Sequence, residues 1–105
     1  MNKTEALMKN LLYEKVAVIH AAYEDVPETV AFVEVKKDAT TAEKLETAFM
    51  KTNSITDAWW NNEGVTKMFA GAACRSTMTG DMVLVGTDKY KCEPTGWSEA
   101  VSYTH

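Results

Sequence analysis

The chain has few of the residues from which reactive centres are usually built. Its 105 residues include two histidines and two cysteines. His20 and His105 lie far apart, and neither has a cysteine or carboxylate at ligand spacing, so no metal centre is expected. There is no Gly-x-Ser-x-Gly elbow and no phosphate loop, so the sequence implies no cofactor. Cys74 could act as a nucleophile with His20 as its base, but the sequence offers no geometry that joins them. The plainer expectation is a structural histidine inside the strand VAVIHAAY. Two cysteines are too few for a disulfide framework. A single Cys74–Cys92 bridge stays open, beside the default of two small buried thiols in a cytosolic protein.

Long apolar runs are also missing. Residues 16–19 and 70–74 are the longest, far short of a membrane span. The opening MNKTEALMKN has no continuous apolar stretch of the secretory type, so a cytoplasmic location is expected. Basic charge is in the minority: 11 Lys and Arg against 15 Asp and Glu give a net charge of −4. That argues against holding duplex DNA by neutralising phosphates. It leaves room for a local basic groove, or for a surface that competes with nucleic acid for a basic partner.

What remains is enough for one domain with one modest core. The expected fold class is α+β: a small curved antiparallel sheet, built from an N-terminal strand pair and a C-terminal hairpin, packed by one main helix. Thr4 can cap a short helix within residues 1–14, with Leu7, Met8, Leu11 and Leu12 on a stripe that docks on the core, self-associates or frays; docking is preferred. Residues 16–23 and 29–37 read as strands on their β-branched content, paired antiparallel across a short turn at Pro27. Val30 and Phe32 fall on one face of the second strand, and Ala31, Val33 and Val35 on the other. Thr40 and Glu43 form a capping box. Behind it Ala42, Leu45, Ala48, Phe49 and Thr52 make a helical stripe, closed by Asn53. Residues 65–69 suggest a short strand. Residues 81–94 predict a hairpin turning at Gly86–Lys89, with Val85 opposite Tyr90, Val83 opposite Cys92, and those four on one face. Trp97 should cover an end of the core, and residues 98–105 read as a polar tail.

Residues 53–81, by contrast, lose all periodicity, and an irregular connection this long tends to be functional. The candidate binding residues lie within it: Trp59, Trp60, Asn61, Asn62, Arg75, Ser76 and Asp81. Trp59 and Trp60 cannot both point the same way, so one should fill the core while the other suits stacking or a protein contact. Arg75 offers a planar fork for a carboxylate or phosphate. The plainer reading pairs it internally, with Asp57 or Asp81.

Thr52 to Ile55 (TNSI), Trp59-Trp60-x-Asn62, Val65, Arg75-Ser76-Thr77-x-x-Gly80-Asp81 and Gly96-Trp97 follow one another in order. In this the chain resembles a group of small proteins encoded by phages, plasmids and some bacterial genomes. The likeness covers residues 45–97. Met78-Thr79 and Trp97 depart from the Ser-Val and Phe usual there. It implies a phage or mobile-element origin and action in the host cytoplasm, and it brings no catalytic role. The expected function is therefore that of a non-enzymatic accessory protein that binds a host or viral macromolecule, a protein first, through residues 53–81. Binding of single-stranded nucleic acid and a minor structural role in a virion are the alternatives, as a monomer or small homo-oligomer with no membrane contact.

Overall fold

The computed structural model describes residues 2–54 and 58–102. Ile55, Thr56, Asp57 and the last three residues, including His105, lie outside them. The fold is α+β: two helices and a six-stranded antiparallel sheet that does not close on itself. The chain runs through α1 (Lys3–Leu12), β1 (Tyr13–His20), β2 (Glu28–Lys36) and α2 (Thr41–Lys51). A 3₁₀ turn (Trp59–Asn61) follows, then β3 (Val65–Lys67), β4 (Met82–Val85), β5 (Asp88–Glu93) and β6 (Gly96–Ser102). The strand order is β3-β2-β1-β4-β5-β6, so the N-terminal pair and the C-terminal hairpin meet at β1 and β4. No described helix is long and apolar enough to cross a membrane.

The strands form where β-branched residues alternate across two faces. Val16, Val18 and His20 of β1 stand with Ala31, Val33 and Val35 of β2, in the register Val16↔Val33 and Val18↔Ala31. A bulge between Val18 and Ile19 offsets the pairing. Val30, assigned by strict alternation to the opposite face, is carried with it into the same core. On this face α2 lays Leu45 and Ala48, both buried.

The capping box of α2 forms as expected. The Thr40 hydroxyl accepts from the Glu43 amide at 3.1 Å, and the Glu43 carboxylate accepts from the Thr40 amide at 2.9 Å. The helix closes at Thr52 rather than Asn53. Ala42 is exposed, because the stripe meets the sheet only from its second turn.

The hairpin slips by two residues from its expected register. Val83 faces Tyr90, and Val85 faces Asp88 across the two-residue loop Gly86-Thr87. Gly86 at φ +61° permits that tighter turn. A slip of two leaves every side chain on its own face, so Val83, Val85, Tyr90 and Cys92 still share one.

Two expectations are corrected. Residues 98–102 of the expected polar tail belong to β6, which pairs with β5. An edge strand needs a backbone ladder and one anchor, here Trp97, whose ring meets Phe49 edge-on at 6.3 Å. The N-terminal helix does not dock its apolar stripe on the core. It is capped by Asn2 instead of Thr4, and it has no buried residue.

Thr40→Ala should lower stability by about 1 kcal/mol. In a thermal melt followed by circular dichroism that is a drop of about 4–8 °C. An equal change at the exposed Thr41 should leave the melting temperature in place.

Candidate functional site

The irregular connection is tied down by hydrogen bonds between its two ends. Residues 52–54, leaving α2, run beside residues 75–77. The Thr77 amide donates to the Thr52 carbonyl at 2.9 Å, and the Asn53 side-chain amide donates to the Thr77 carbonyl at 2.7 Å. The Ser76 hydroxyl donates to the Ser54 carbonyl at 2.8 Å and accepts from the Ser54 amide. Trp59 sends its indole N–H to the Arg75 carbonyl at 3.0 Å. Serine, threonine and asparagine side chains here do the pairing that a strand ladder would otherwise do.

Beneath this seam Trp59 is buried in a ring cluster. Its centroid lies 5.6 Å from Phe69 and 5.4 Å from Trp60, and Trp60 lies 5.3 Å from Phe69. Trp59 is therefore the core tryptophan, and Trp60 is the half-buried one at the surface. Asn61 and Asn62 are exposed beside it. The Asn62 amide donates to the Lys51 carbonyl at 2.8 Å, and Lys51 returns a bond to the Glu63 carbonyl. The 3₁₀ turn is thereby fixed to the end of α2.

Arg75 is saturated. A guanidinium has five N–H donors, and each has an internal acceptor. Nη1 donates to Asp81 Oδ2 at 2.7 Å and to the Ser76 carbonyl, and Nη2 donates to Asp81 Oδ1 at 2.8 Å and to Glu24 Oε1. Nε donates to Glu24 Oε2 at 3.3 Å. The expected internal pairing with Asp81 is present, and Asp57 lies outside the described residues. An incoming phosphate at Arg75 would have to compete with the Asp81 and Glu24 carboxylates for these donors.

Asp81 is fully buried and accepts three further bonds, from the amides of Ala21, Ala22 and Met78 at 2.8–3.0 Å. Burial pushes its carboxyl up, but the Arg75 fork and those amides outweigh that and hold it down at about 2. Asp81 thus offers no open contact, while Ser76, half-buried, spends its hydroxyl on the Ser54 backbone.

A second buried network reaches the same place. Thr52 Oγ1 donates to the Ala48 carbonyl and Thr77 Oγ1 donates to Thr52 Oγ1, each at 2.8 Å. With both hydroxyl protons used, His20 Nε2, 3.1 Å from Thr77 Oγ1, must be the donor. Its Nδ1 is then the bare nitrogen, and it faces Cys74 Sγ at 3.7 Å. The geometry absent from the sequence is therefore present. Its chemistry is subdued, because burial lowers the His20 pKa and raises that of Cys74, favouring a neutral S–H···N pair over thiolate and imidazolium. Both cysteines are free thiols.

The residues singled out from sequence thus separate into a buried ring (Trp59), an ionic knot of the buried Asp81 with the half-buried Arg75 and Ser76, and an outer rim (Trp60 half-buried, Asn61 and Asn62 exposed). Glu24, second carboxylate of the knot, read only as part of a turn before Pro27. Nothing local marks a turn carboxylate for an arginine fifty residues away.

Asp81→Asn breaks the buried pair and should cost about 3–5 kcal/mol, read from urea unfolding. The wild type should lose stability on acidification in two stages. The folded pKa of His20 lies below its ordinary 6.5, so stability is complete above that and falls as pH drops below it. Asp81 titrates from 3.8 unfolded to about 2 folded, so its share, about 2 kcal/mol, is present above pH 4 and disappears toward pH 2. His20→Gln should remove the upper stage only. An unfolding free energy flat from pH 7 to pH 3 would contradict both assignments.

Searched against known proteins, the chain matches no family model, no curated protein and no solved structure.

Proposed function

We propose that the chain is a non-enzymatic accessory protein of phage or mobile-element type that binds a protein partner through the open rim of residues 53–81. The observation that carries this reading is how the segment divides its residues. The groups suited to chemistry or to anion capture, Arg75, Asp81 and Ser76, are consumed in internal bonds. An aromatic and amide rim is left outside: Trp60 half-buried, Asn61 and Asn62 exposed, and Met68 48 % exposed just beyond β3. The rim is held rigid from below, so little order is lost on binding. An aromatic residue beside adaptable amides suits a protein contact. The phage or mobile-element origin rests on the resemblance of residues 45–97 alone, and cytoplasmic action goes with it.

Single-stranded nucleic acid is the second reading, favoured by Trp60 and the exposed Lys67 near Phe69. It is weakened by the net charge and by the carboxylates with which a phosphate would compete for Arg75.

Affinity capture from bacterial lysate tests the choice. Trp60→Ala and Asn61→Ala should keep the wild-type circular dichroism and lose the captured partner, whereas Trp59→Ala should cost about 3–5 kcal/mol of stability. A folded Trp60→Ala/Asn61→Ala protein that captures everything the wild type does would sink the reading. Titration with mixed-sequence single-stranded DNA and RNA should leave tryptophan fluorescence flat. Saturable quenching that weakens with salt would transfer the rim to nucleic acid.

A further inference from the structure

Helix α1 is amphipathic and faces the wrong way for a monomer. Ala6, Lys9 and Asn10, its polar side, line the cleft against Lys15 and Glu34 of the sheet, with Lys9 Nζ 3.6 Å from the Glu34 carboxylate. The opposite side carries Leu7, Met8, Leu11 and Leu12, which are 63 %, 55 %, 73 % and 55 % exposed. An isolated ten-residue helix is marginal in water, and its apolar stripe is what normally holds it. Here the stripe is in solvent.

The helix cannot correct this within its own chain. Tyr13 is both the C-cap of α1 and the first residue of β1, so no linker lets the helix roll over. The Lys37 amide also donates to the Leu12 carbonyl at 2.9 Å, which pins the helix end to the chain leaving β2.

We propose that the stripe is covered by the same stripe of a second copy, the two α1 helices packing antiparallel about a twofold axis. Two observations favour this occupant. The first is area. Four side chains at these exposures leave roughly 450 Å² of apolar surface, as much as the largest patch of a typical monomer. Two copies together, with the flanking notch, remove about 1,000 Å², where specific interfaces begin. The second is charge. At the C-terminal end of the stripe, Leu11, Leu12 and Tyr13 border a notch whose other wall is Lys36, Lys37 and Asp38, basic on balance. At the N-terminal end stand two exposed charges, Glu5 beside the Met8 and Leu12 edge of the stripe and Lys3 beside its Leu7 edge. Antiparallel pairing lays the N-terminal half of one helix across the C-terminal half of the other, and so brings each Glu5 to its partner's lysine pair. A twofold axis makes that contact twice.

Light scattering coupled to size exclusion, on the intact chain, tests the proposal. The wild type should approach twice its 11.7 kDa as concentration rises through the micromolar range. Leu7→Glu/Leu11→Glu should stay at 11.7 kDa with its thermal melt preserved, since neither side chain is buried in the protomer. Glu5→Lys, a surface change that leaves the helix cap intact, should weaken the dimer about tenfold, two exposed ion pairs being lost. Adding Lys36→Glu and Lys37→Glu to it should restore the affinity. A wild type that stays at 11.7 kDa at high micromolar concentration overturns the proposal, and its capture by phosphatidylglycerol vesicles would assign the stripe to lipid instead. A dimer indifferent to Leu7→Glu/Leu11→Glu would overturn it too, placing the contact elsewhere.

Discussion

A carboxylate without solvent exposure stays ionised only where its surroundings replace every water it has lost. Asp81 meets that demand with five donors: two from Arg75 and three from the backbone of Ala21, Ala22 and Met78. Those donors come from parts of the chain that no ladder joins. Ala21 and Ala22 follow β1, Met78 precedes β4, and Arg75 reaches across to Glu24. The sheet itself is narrow at this place, since β1 and β4 share only the register Ala17↔Leu84 to Ile19↔Met82. The carboxylate extends that junction past the last paired residues. Gly80 allows the approach: at φ +98° it occupies a region that side chains disfavour, and a Cβ there would meet Ala22 at 3.0 Å. On its other side, the Asp81 carbonyl accepts from Cys92 and the Gly80 amide donates to the Cys92 carbonyl, so β5 is aligned by the same residue.

Beside this ionic knot the hydroxyl chain from Ala48 through Thr52 and Thr77 to His20 joins α2 to β1. Its worth lies in being complete. A buried network with one missing partner is worse than an apolar core, because each unmade bond carries its full desolvation cost. Completeness also fixes the imidazole tautomer, and with it the direction in which the free nitrogen points. Cys74 therefore sits beside a base that is well placed and poorly disposed to charge. Asp81 is 3.9 Å from Nε2 and would steady an imidazolium, yet burial of the ring prevails.

The sequence shows the parts of this fold whose causes are local. The capping box needs Thr40 and Glu43 alone, and the strands need alternation that the eye can count. The hairpin kept its faces through a two-residue slip, because side-chain direction has period two and survives any even error. Beyond local causes legibility fades. Strict alternation misplaces Val30, because the bulge opposite Val18 and Ile19 offsets it. Strand β6 was hidden because an edge strand bonded through its backbone tolerates polar side chains. At the site, Arg75 with Asp81 was legible as a pair six residues apart. Glu24, Thr52 and His20 were not, since their partners come from the far end of the connection.

These two networks join the described residues at the two ends of the irregular connection, and they also bear on which of its groups remain open. Each strong polar group they use is already bonded within the protein, Asp81 fully buried and Arg75 and Glu24 with 28 % and 26 % of their side chains exposed. What the connection then presents outward is aromatic and amide surface: Trp60 propped on Phe69, with Asn61 and Asn62 fixed to the end of α2. A change in the knot lowers stability without informing on binding, whereas a change on the rim alters surface chemistry over an intact core. The same separation holds for the N-terminal helix, whose apolar stripe touches nothing on which the fold of its own protomer depends. Trp59 and Trp60, adjacent in sequence, thus differ in exposure within one ring cluster: Trp59 is buried, and Trp60 packs on it and on Phe69 with one side left outward.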